Sequence, residues 1–159
     1  LLEDTVKPGA REALAELRAL GVRETVMLTG DREHAAASVA QRLGLTRWFA
    51  GLLPQDKVEK VRELQESKDT LIFVGDGVND AQALSCADVS IAMGKGTDTL
   101  MDTAMITLRT SDLLLLPKVF RLSRQTVSLM YRNLFWAFIY NTVGIFVAAA
   151  VRPSFCKIR

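Results

Sequence analysis

The sequence predicts an α/β fold in which a Rossmann-like parallel sheet is flanked by helices and is followed by a helical membrane segment. Two observations carry this prediction. From residue 1 to about residue 106, short apolar runs alternate with amphipathic segments of helical period, which is typical of β-α-β units around a parallel sheet. Near the other end, residues 134–151 form a run of eighteen residues without a charge.

The individual elements follow from local pattern. Apolar residues at helical spacing predict four helices, over about residues 9–20, 32–43, 55–67 and 79–86. Gly21 and Gly44 follow the first two, at the position where a left-handed glycine commonly ends a helix. Apolar runs predict strands at residues 25–28, 70–74 and 89–93, the first of them buried.

The run at 134–151 is close to the roughly 20 apolar residues that a helix needs to cross a bilayer. Basic residues precede it (Lys118, Arg121, Arg124 and Arg132), so the positive-inside tendency places this end, and the α/β domain with it, in the cytoplasm. The alternative is a long buried helix of a soluble domain, but nothing in the chain is large enough to cover it on all sides. The predicted division is therefore an α/β domain over 1–112, an amphipathic linking helix over 113–132, a transmembrane helix over 133–151 and a tail over 152–159.

Composition narrows the possible partners. At 159 residues the chain has room for one compact core, and its net charge of +2 gives no argument for a nucleic-acid surface, so no nucleic-acid partner is expected. Cys86 and Cys156 lack the neighbouring Cys or His residues that a zinc site or a disulfide framework requires.

Polar residues follow the first two predicted strands. In doubly wound sheets ligands sit beyond the carboxyl ends of the strands, so these residues are expected in one crevice. After the first strand, Thr29, Gly30 and Asp31 offer a hydroxyl and backbone N–H groups at a helix N-terminus, which is a natural anion site. An ordinary strand-to-helix cap remains an equally good interpretation of these three residues alone.

The second loop, GDGVND, is harder to explain by packing. Asp76 is expected to face the crevice, where clustered carboxylates favour a hard cation such as magnesium. Asn79 and Asp80 supply further oxygens and an N-cap for the next helix. Lys57, which opens the helix between the two loops, is positioned to reach back as a point positive charge, although a surface lysine is the alternative. A hydroxyl, a lysine and magnesium around one phosphoryl group is the recurring arrangement in phosphoryl transfer.

The order MLTGD, LPQDK and VGDGVNDAQAL resembles the phosphorylation domain of P-type ATPases, cation pumps with a haloacid dehalogenase-like fold. The resemblance continues through ADVSIAMGKGTD and DLLLLPKVFRLSRQT to about residue 151. It implies that Thr29 and Gly30 hold the phosphoryl group, with Asp31 in the same loop. It further implies that Lys57 neutralises the group, that Asp76 binds Mg2+, and that Asn79 and Asp80 complete the site.

Within that family, NLFWAFIYN at 133–141 is similar to the membrane helix that follows the phosphorylation domain in copper(I)-exporting pumps. The similarity implies that Tyr140 and Asn141 contribute to an intramembrane site for the transported ion. A polar side chain in mid-membrane supports a functional role, while a helix-to-helix hydrogen bond is the alternative for Asn141.

The resemblance therefore implies an ATP- and Mg2+-dependent enzyme, a heavy-metal translocase in the membrane, with copper(I) as the expected cargo. The DKTGT motif with its phosphate-accepting aspartate is absent, as are the nucleotide-binding and actuator domains, so we expect the chain to be a fragment that is inactive alone. The alternatives are a zinc, cadmium or cobalt pump, a soluble phosphohydrolase of the same superfamily, and an inert remnant.

Overall fold

The structure, a computed structural model, describes residues 6–66, 69–76, 78–94 and 103–150. The chain divides into two compact units, Leu1–Lys118 and Val119–Arg159. Parts of the sequence-based predictions lie outside the described residues: the helix end at Ser67, Gly77, the loop at 95–98, the end of the membrane segment at Val151 and the tail at 152–159.

Four helices in the first unit agree closely with the sequence pattern. They are α1 (Ala10–Ala19), α2 (Glu33–Leu43), α3 (Pro54–Gln65) and α4 (Ala81–Cys86), the last preceded by one 3-10 turn at Val78–Asp80. Gly44 ends α2 in the left-handed conformation, with φ of 62°, and Gly21 follows α1 with φ of 92°, as predicted for residues that end helices.

Within the described residues, five strands form two parallel sheets. Strands β1 (Val26–Leu28) and β2 (Arg47–Phe49) pair in one, and β3 (Ile72–Gly75), β4 (Val89–Met93) and β5 (Ile106–Leu108) form the other in the order β3-β4-β5. The sequence predicted β1, β3 and β4. It missed β2 and β5, because β2 begins with the charged Arg47 and β5 is interrupted by Thr107, so neither forms a continuous apolar run.

The sequence predicts a single sheet, but the described strands form two. This division affects how deeply each strand is buried. Strand β4 is the middle strand of its sheet, and its residues from Ser90 to Met93 are buried. Strand β1 pairs with β2, and all its residues are only half-buried, so the prediction of a fully buried strand was wrong there. The two sheets still share a core, since Leu28 of β1 and Phe73 of β3 pack against one cluster of Val61, Ala83 and Ala87.

The last helix, α5 (Leu115–Ala150), is 36 residues long and continues without a break through the boundary predicted between a linking helix and a membrane helix. Its first turn belongs to the first unit, where Leu116 and Pro117 are buried. From Arg121 onward every described side chain is exposed. Among the described residues, no helix combines the length and the apolar character that a membrane crossing requires.

Candidate functional site

The candidate site lies at the carboxyl ends of β1 and β3. Thr29 follows directly on β1, and Asp76 follows directly on β3. Between these strands the chain passes through α2, β2 and α3, and α3 carries Lys57 in its first turns.

The turn from Thr29 to Asp31 is closed by its own side chains. The Thr29 hydroxyl donates a hydrogen bond to Asp31 Oδ2 at 2.7 Å and accepts one from the Asp31 backbone N–H at 3.1 Å. Gly30 passes close to the next segment, because a Cβ at this position would lie 3.3 Å from the backbone oxygen of Leu52. The loop is therefore fixed by local hydrogen bonds. An anion that binds the Thr29 hydroxyl would have to replace the Asp31 carboxylate as its hydrogen-bond acceptor.

Lys57 and Asp80 form a desolvated ion pair. Lys57 Nζ donates to Asp80 Oδ1 at 2.8 Å, and the two side chains are only 17% and 13% exposed. The low exposure matters because charges interact more strongly where water is excluded. Lys57 is thus not the surface lysine of the alternative interpretation. Asp80 occupies the predicted N-cap position of α4, but its side chain makes no capping hydrogen bond and is directed to Lys57 instead.

Gly75 makes this position of Asp80 possible. A Cβ built on Gly75 would lie 3.0 Å from Asp80 Cβ and 3.2 Å from Asp80 Oδ2. These distances are shorter than ordinary van der Waals contacts, so a side chain at the last residue of β3 would require Asp80 to shift by a few tenths of an ångström. The close approach brings the Asp80 carboxylate against the backbone immediately before Asp76.

Asp76 is held by a lysine that the sequence-based prediction did not include. Lys7 Nζ donates to Asp76 Oδ2 at 2.8 Å, with the side chains 47% and 60% exposed. Lys7 lies 69 positions earlier in the chain, in the segment before α1. No local pattern identifies such a residue, and only the tertiary contact reveals it.

Asn79 is exposed and borders an open depression beside the ion pair. The depression is lined by the start of α3 and the start of α4: Leu53, Pro54, Gln55, Asn79, Ala81 and Gln82. Its polar lining consists of carboxamide groups, which can donate and accept hydrogen bonds without adding charge.

The structure therefore brings together Lys57, Gly75, Asp76 and Asp80 at the end of β3, with Asn79 alongside. The Thr29 turn is connected to this group through the segment before α3. Leu52 N–H donates to the Thr29 backbone oxygen at 3.0 Å, and the following residue begins the turn that leads to Lys57. No hydrogen bond joins the Thr29 side chain to Lys57 or Asp80 within the described part of the structure.

Two carboxylates at the end of one strand are suitable ligands for Mg2+. This ion is usually bound by one or two carboxylates, with water and phosphate oxygens completing its shell. Asp76 and Asp80 are two such carboxylates, since Asp80 packs on Gly75 directly before Asp76, and Asn79 lines the depression alongside. In the part of the chain that the structure describes, no group of three or more His, Cys, Asp or Glu side chains could hold a metal ion without such additional ligands.

Tyr140 and Asn141, the residues predicted to contact a transported ion, both lie in α5 and are exposed. They belong to the second unit, whereas the residues of the candidate site belong to the first.

Comparison with known proteins assigns the family. Residues 1–88 match the family model of the haloacid dehalogenase-like hydrolases. The chain therefore belongs to the haloacid dehalogenase-like hydrolase family.

Within that family the resemblance to metal-transporting P-type ATPases extends over most of the chain. The copper-exporting P-type ATPase of Staphylococcus haemolyticus is 47% identical over 146 residues, which are 92% of this chain and 18% of that protein. Copper-exporting P-type ATPase B of Archaeoglobus fulgidus is 47% identical over 153 residues, or 96% and 22%. A zinc-transporting PIB-type ATPase in its E2.Pi state superimposes with a TM-score of 0.82 at 42% identity, covering 94% of this chain and 24% of that one. The chain thus spans about a fifth of the length of these relatives.

Proposed function

We propose that this chain is the later part of the phosphorylation domain, with the adjoining helix, of an ATP-driven heavy-metal pump that works through an aspartyl phosphate. The observation that carries the proposal is the desolvated Lys57–Asp80 pair, packed on Gly75 directly before Asp76. Its support is the 47% identity to copper-exporting P-type ATPases. The ATP-binding site and the aspartate that accepts the phosphoryl group would be supplied by other parts of the intact protein.

The site residues have complementary roles in this proposal. Thr29 and the backbone of Gly30 and Asp31 bind the phosphoryl oxygens, which accept hydrogen bonds from hydroxyl and N–H donors. The Lys57 ammonium, held by Asp80, neutralises charge on the group as it is transferred. Because Lys57 is largely shielded from water, its charge acts more strongly than that of an exposed lysine.

Asp76 and Asp80 would hold Mg2+, and Asn79 would complete the set of oxygens. When bound, the ion supplies further positive charge for phosphoryl transfer. Asp80 then has two partners on separate oxygens, since Lys57 contacts Oδ1, and Oδ2, which lies beside Gly75, remains for the ion.

Residues 133–151 form the membrane helix in this proposal, with the α/β domain in the cytoplasm, because residues 134–151 carry no charge and basic residues precede them. Tyr140 and Asn141 would face the transported ion. Copper(I) is the favoured cargo, since the two curated relatives described above export copper. Zinc, cadmium and cobalt are the alternatives, and the similarity to a zinc-transporting ATPase favours zinc among them.

A chimaera tests the catalytic part of the proposal. The corresponding 146 residues of the Staphylococcus haemolyticus pump are replaced by this chain, and phosphoenzyme formed from ATP is measured. We expect a phosphoenzyme in the chimaera and its loss in Asp76→Asn and Lys57→Met. Arg23→Met, which breaks an exposed pair with Asp69, serves as the matched control and should be phosphorylated normally. Normal magnesium-dependent phosphorylation of Asp76→Asn would refute the proposed role.

The cargo is tested in the same chimaera by metal-stimulated ATP hydrolysis. Copper(I) or silver(I) should stimulate ATP hydrolysis. Asn141→Ala should reduce that stimulation, whereas the exposed control Arg23→Met should be stimulated like wild type. Stimulation by zinc alone would overturn the copper assignment in favour of the alternative.

The match to a hydrolase family model favours a second candidate, a soluble phosphohydrolase. This activity is tested by hydrolysis of p-nitrophenyl phosphate by the chain alone with Mg2+. Turnover that is lost in Asp76→Asn would support the second candidate, and absence of turnover would support the pump.

A further inference from the structure

The contact between Lys7 and Asp76 has no place in the roles assigned above. The position of Lys7 is well defined by its backbone, because the Lys7 carbonyl oxygen accepts a hydrogen bond from Ala10 N–H at 3.2 Å, at the start of α1. Gly9, with φ of 79°, packs so closely on Leu114 that an added Cβ would lie 3.1 Å from Leu114 Cγ. The turn that carries Lys7 is therefore fixed against a distant part of the same unit.

We propose that Lys7 is a positioning residue for Asp76: its ammonium holds the carboxylate when no metal is bound and must withdraw when a divalent cation binds. The inference rests on the proposed function, since it takes Asp76 as a magnesium ligand. Lys7 and the cation thus compete for one carboxylate.

The geometry requires the competition. A carboxylate oxygen coordinates Mg2+ at about 2.0–2.1 Å. Lys7 Nζ lies 2.8 Å from Asp76 Oδ2, so an ion on that oxygen would bring two positive centres within about 5 Å of each other, where they repel. The ion and the Lys7 ammonium therefore compete for that oxygen.

The exposure of the two lysines explains why Lys7, and not Lys57, gives way to a bound cation. Lys7 is 47% exposed, and a long side chain at a half-exposed position can rotate its ammonium into water. Lys57 is only 17% exposed, so its ammonium would lose the Asp80 contact without gaining full hydration. Lys7 is therefore the displaceable counter-ion, and Lys57 is the fixed one.

The test measures Mg2+ binding to the full chain in detergent, by isothermal titration and by Mn2+ competition followed by electron paramagnetic resonance. Lys7→Met should bind Mg2+ more tightly than wild type, by about two- to fivefold, which corresponds to losing one exposed ion pair. The difference should vanish in the Asp76→Asn background. Lys60→Met removes the same charge from the exposed Lys60–Glu63 pair and should leave the affinity unchanged.

The outcomes are distinguishable. Tighter binding in Lys7→Met that depends on Asp76 supports the inference. Equal or weaker binding in Lys7→Met, with Asp76→Asn still impaired, overturns the inference and leaves the proposed function intact. If wild type, Lys7→Met and Asp76→Asn all bind Mg2+ alike, Asp76 is not a ligand, and both are overturned. If none of them binds Mg2+, the inference is overturned, and the proposed function rests on the phosphorylation of the chimaera. Unfolding in urea monitors structure: a Lys7→Met variant that loses stability without a change in Mg2+ affinity also contradicts the inference.

Discussion

At the scale of single residues, the ion pairs of this chain differ chiefly in their exposure to water. The Lys57–Asp80 pair is 17% and 13% exposed, whereas the Arg23–Asp69 pair is 82% and 62% exposed. Exposed pairs contribute about 0–1 kcal/mol. Removing one partner of a desolvated pair is far more damaging, because the remaining charge has neither water nor a counter-ion.

Lys57→Met should therefore lower the free energy of unfolding by about 3 kcal/mol. Asp80→Asn should have a smaller effect, since an amide can still accept a hydrogen bond from Lys57. The measurement is urea unfolding of both single variants and the double variant, which together give the coupling energy. The corresponding cycle on Arg23 and Asp69 should give a coupling below about 1 kcal/mol, and equal coupling in the two cycles would contradict the argument.

Gly75 is expected to be intolerant of any side chain. Gly75→Ala would place a methyl group 3.0 Å from Asp80 Cβ, so Asp80 must move away from Lys57. Overpacking of this kind lowers stability by about 1–3 kcal/mol. Urea unfolding checks the value. Gly144→Ala is the control, because a Cβ there meets no group within 4 Å among the described residues.

At the scale of elements, α3 serves the site on one side and the outer strand β2 on the other. It holds Lys57 toward Asp80, while Lys60, one turn later, lies over the Phe49 ring at 4.8 Å and pairs with Glu63 at 2.5 Å. The hydrogen bond from Lys60, reinforced by its positive charge and by that of Arg47, holds the pKa of the Glu63 carboxyl below its usual range.

The lowered pKa of Glu63 has a defined effect on stability. A carboxyl whose pKa is lower in the folded chain stabilises it when ionised, so the contribution is present above the unfolded-state pKa and is lost as pH falls through the folded-state pKa. Glu63→Gln should therefore reduce the loss of stability on acidification. The two proteins are compared by urea unfolding across the acidic range. Parallel pH profiles for wild type and variant would contradict this prediction.

At the scale of the whole molecule, the described chain has a compact first unit and a helix whose side chains from Arg121 onward are exposed. Many of these side chains are large and apolar, including Phe135, Trp136 and Phe138. Apolar surface of this extent promotes association in water or binding to another apolar phase. The first turn of α5 differs, because its buried Leu116 and Pro117 complete the core of the first unit.

Truncation separates these two parts of α5. Residues 1–118 should unfold cooperatively and remain monomeric without detergent, as measured by circular dichroism and light scattering. Residues 1–112 lack Leu116, Pro117 and the Leu114 contact with Gly9, and should be less stable by about 2 kcal/mol or more, the value of burying one large aliphatic side chain. Equal stability of the two truncated forms would mean that the first turn of α5 is not part of this core.

Much of the site was predictable because it is encoded locally. The order of TGD, LPQDK and GDGVND placed Thr29, Lys57 and Asp76 after strands or at a helix start, and that order also indicated the P-type ATPases that the comparisons support. The roles of these residues remain predictions. Asp80 lies at the predicted N-cap position, but its carboxylate accepts a hydrogen bond from a distant lysine rather than from the helix, which no local pattern reveals.

By itself the sequence determined the helices, three of the strands, the positions of the candidate residues and the family, because periodicity and turn chemistry depend only on neighbours along the chain. Tertiary structure alone decided which lysine meets which carboxylate and how much water each pair retains. It also decided that Asp80 packs closely against Gly75. Those properties arise from residues tens of positions apart, which meet only when α1, α3 and β3 pack together, and desolvation follows from that packing.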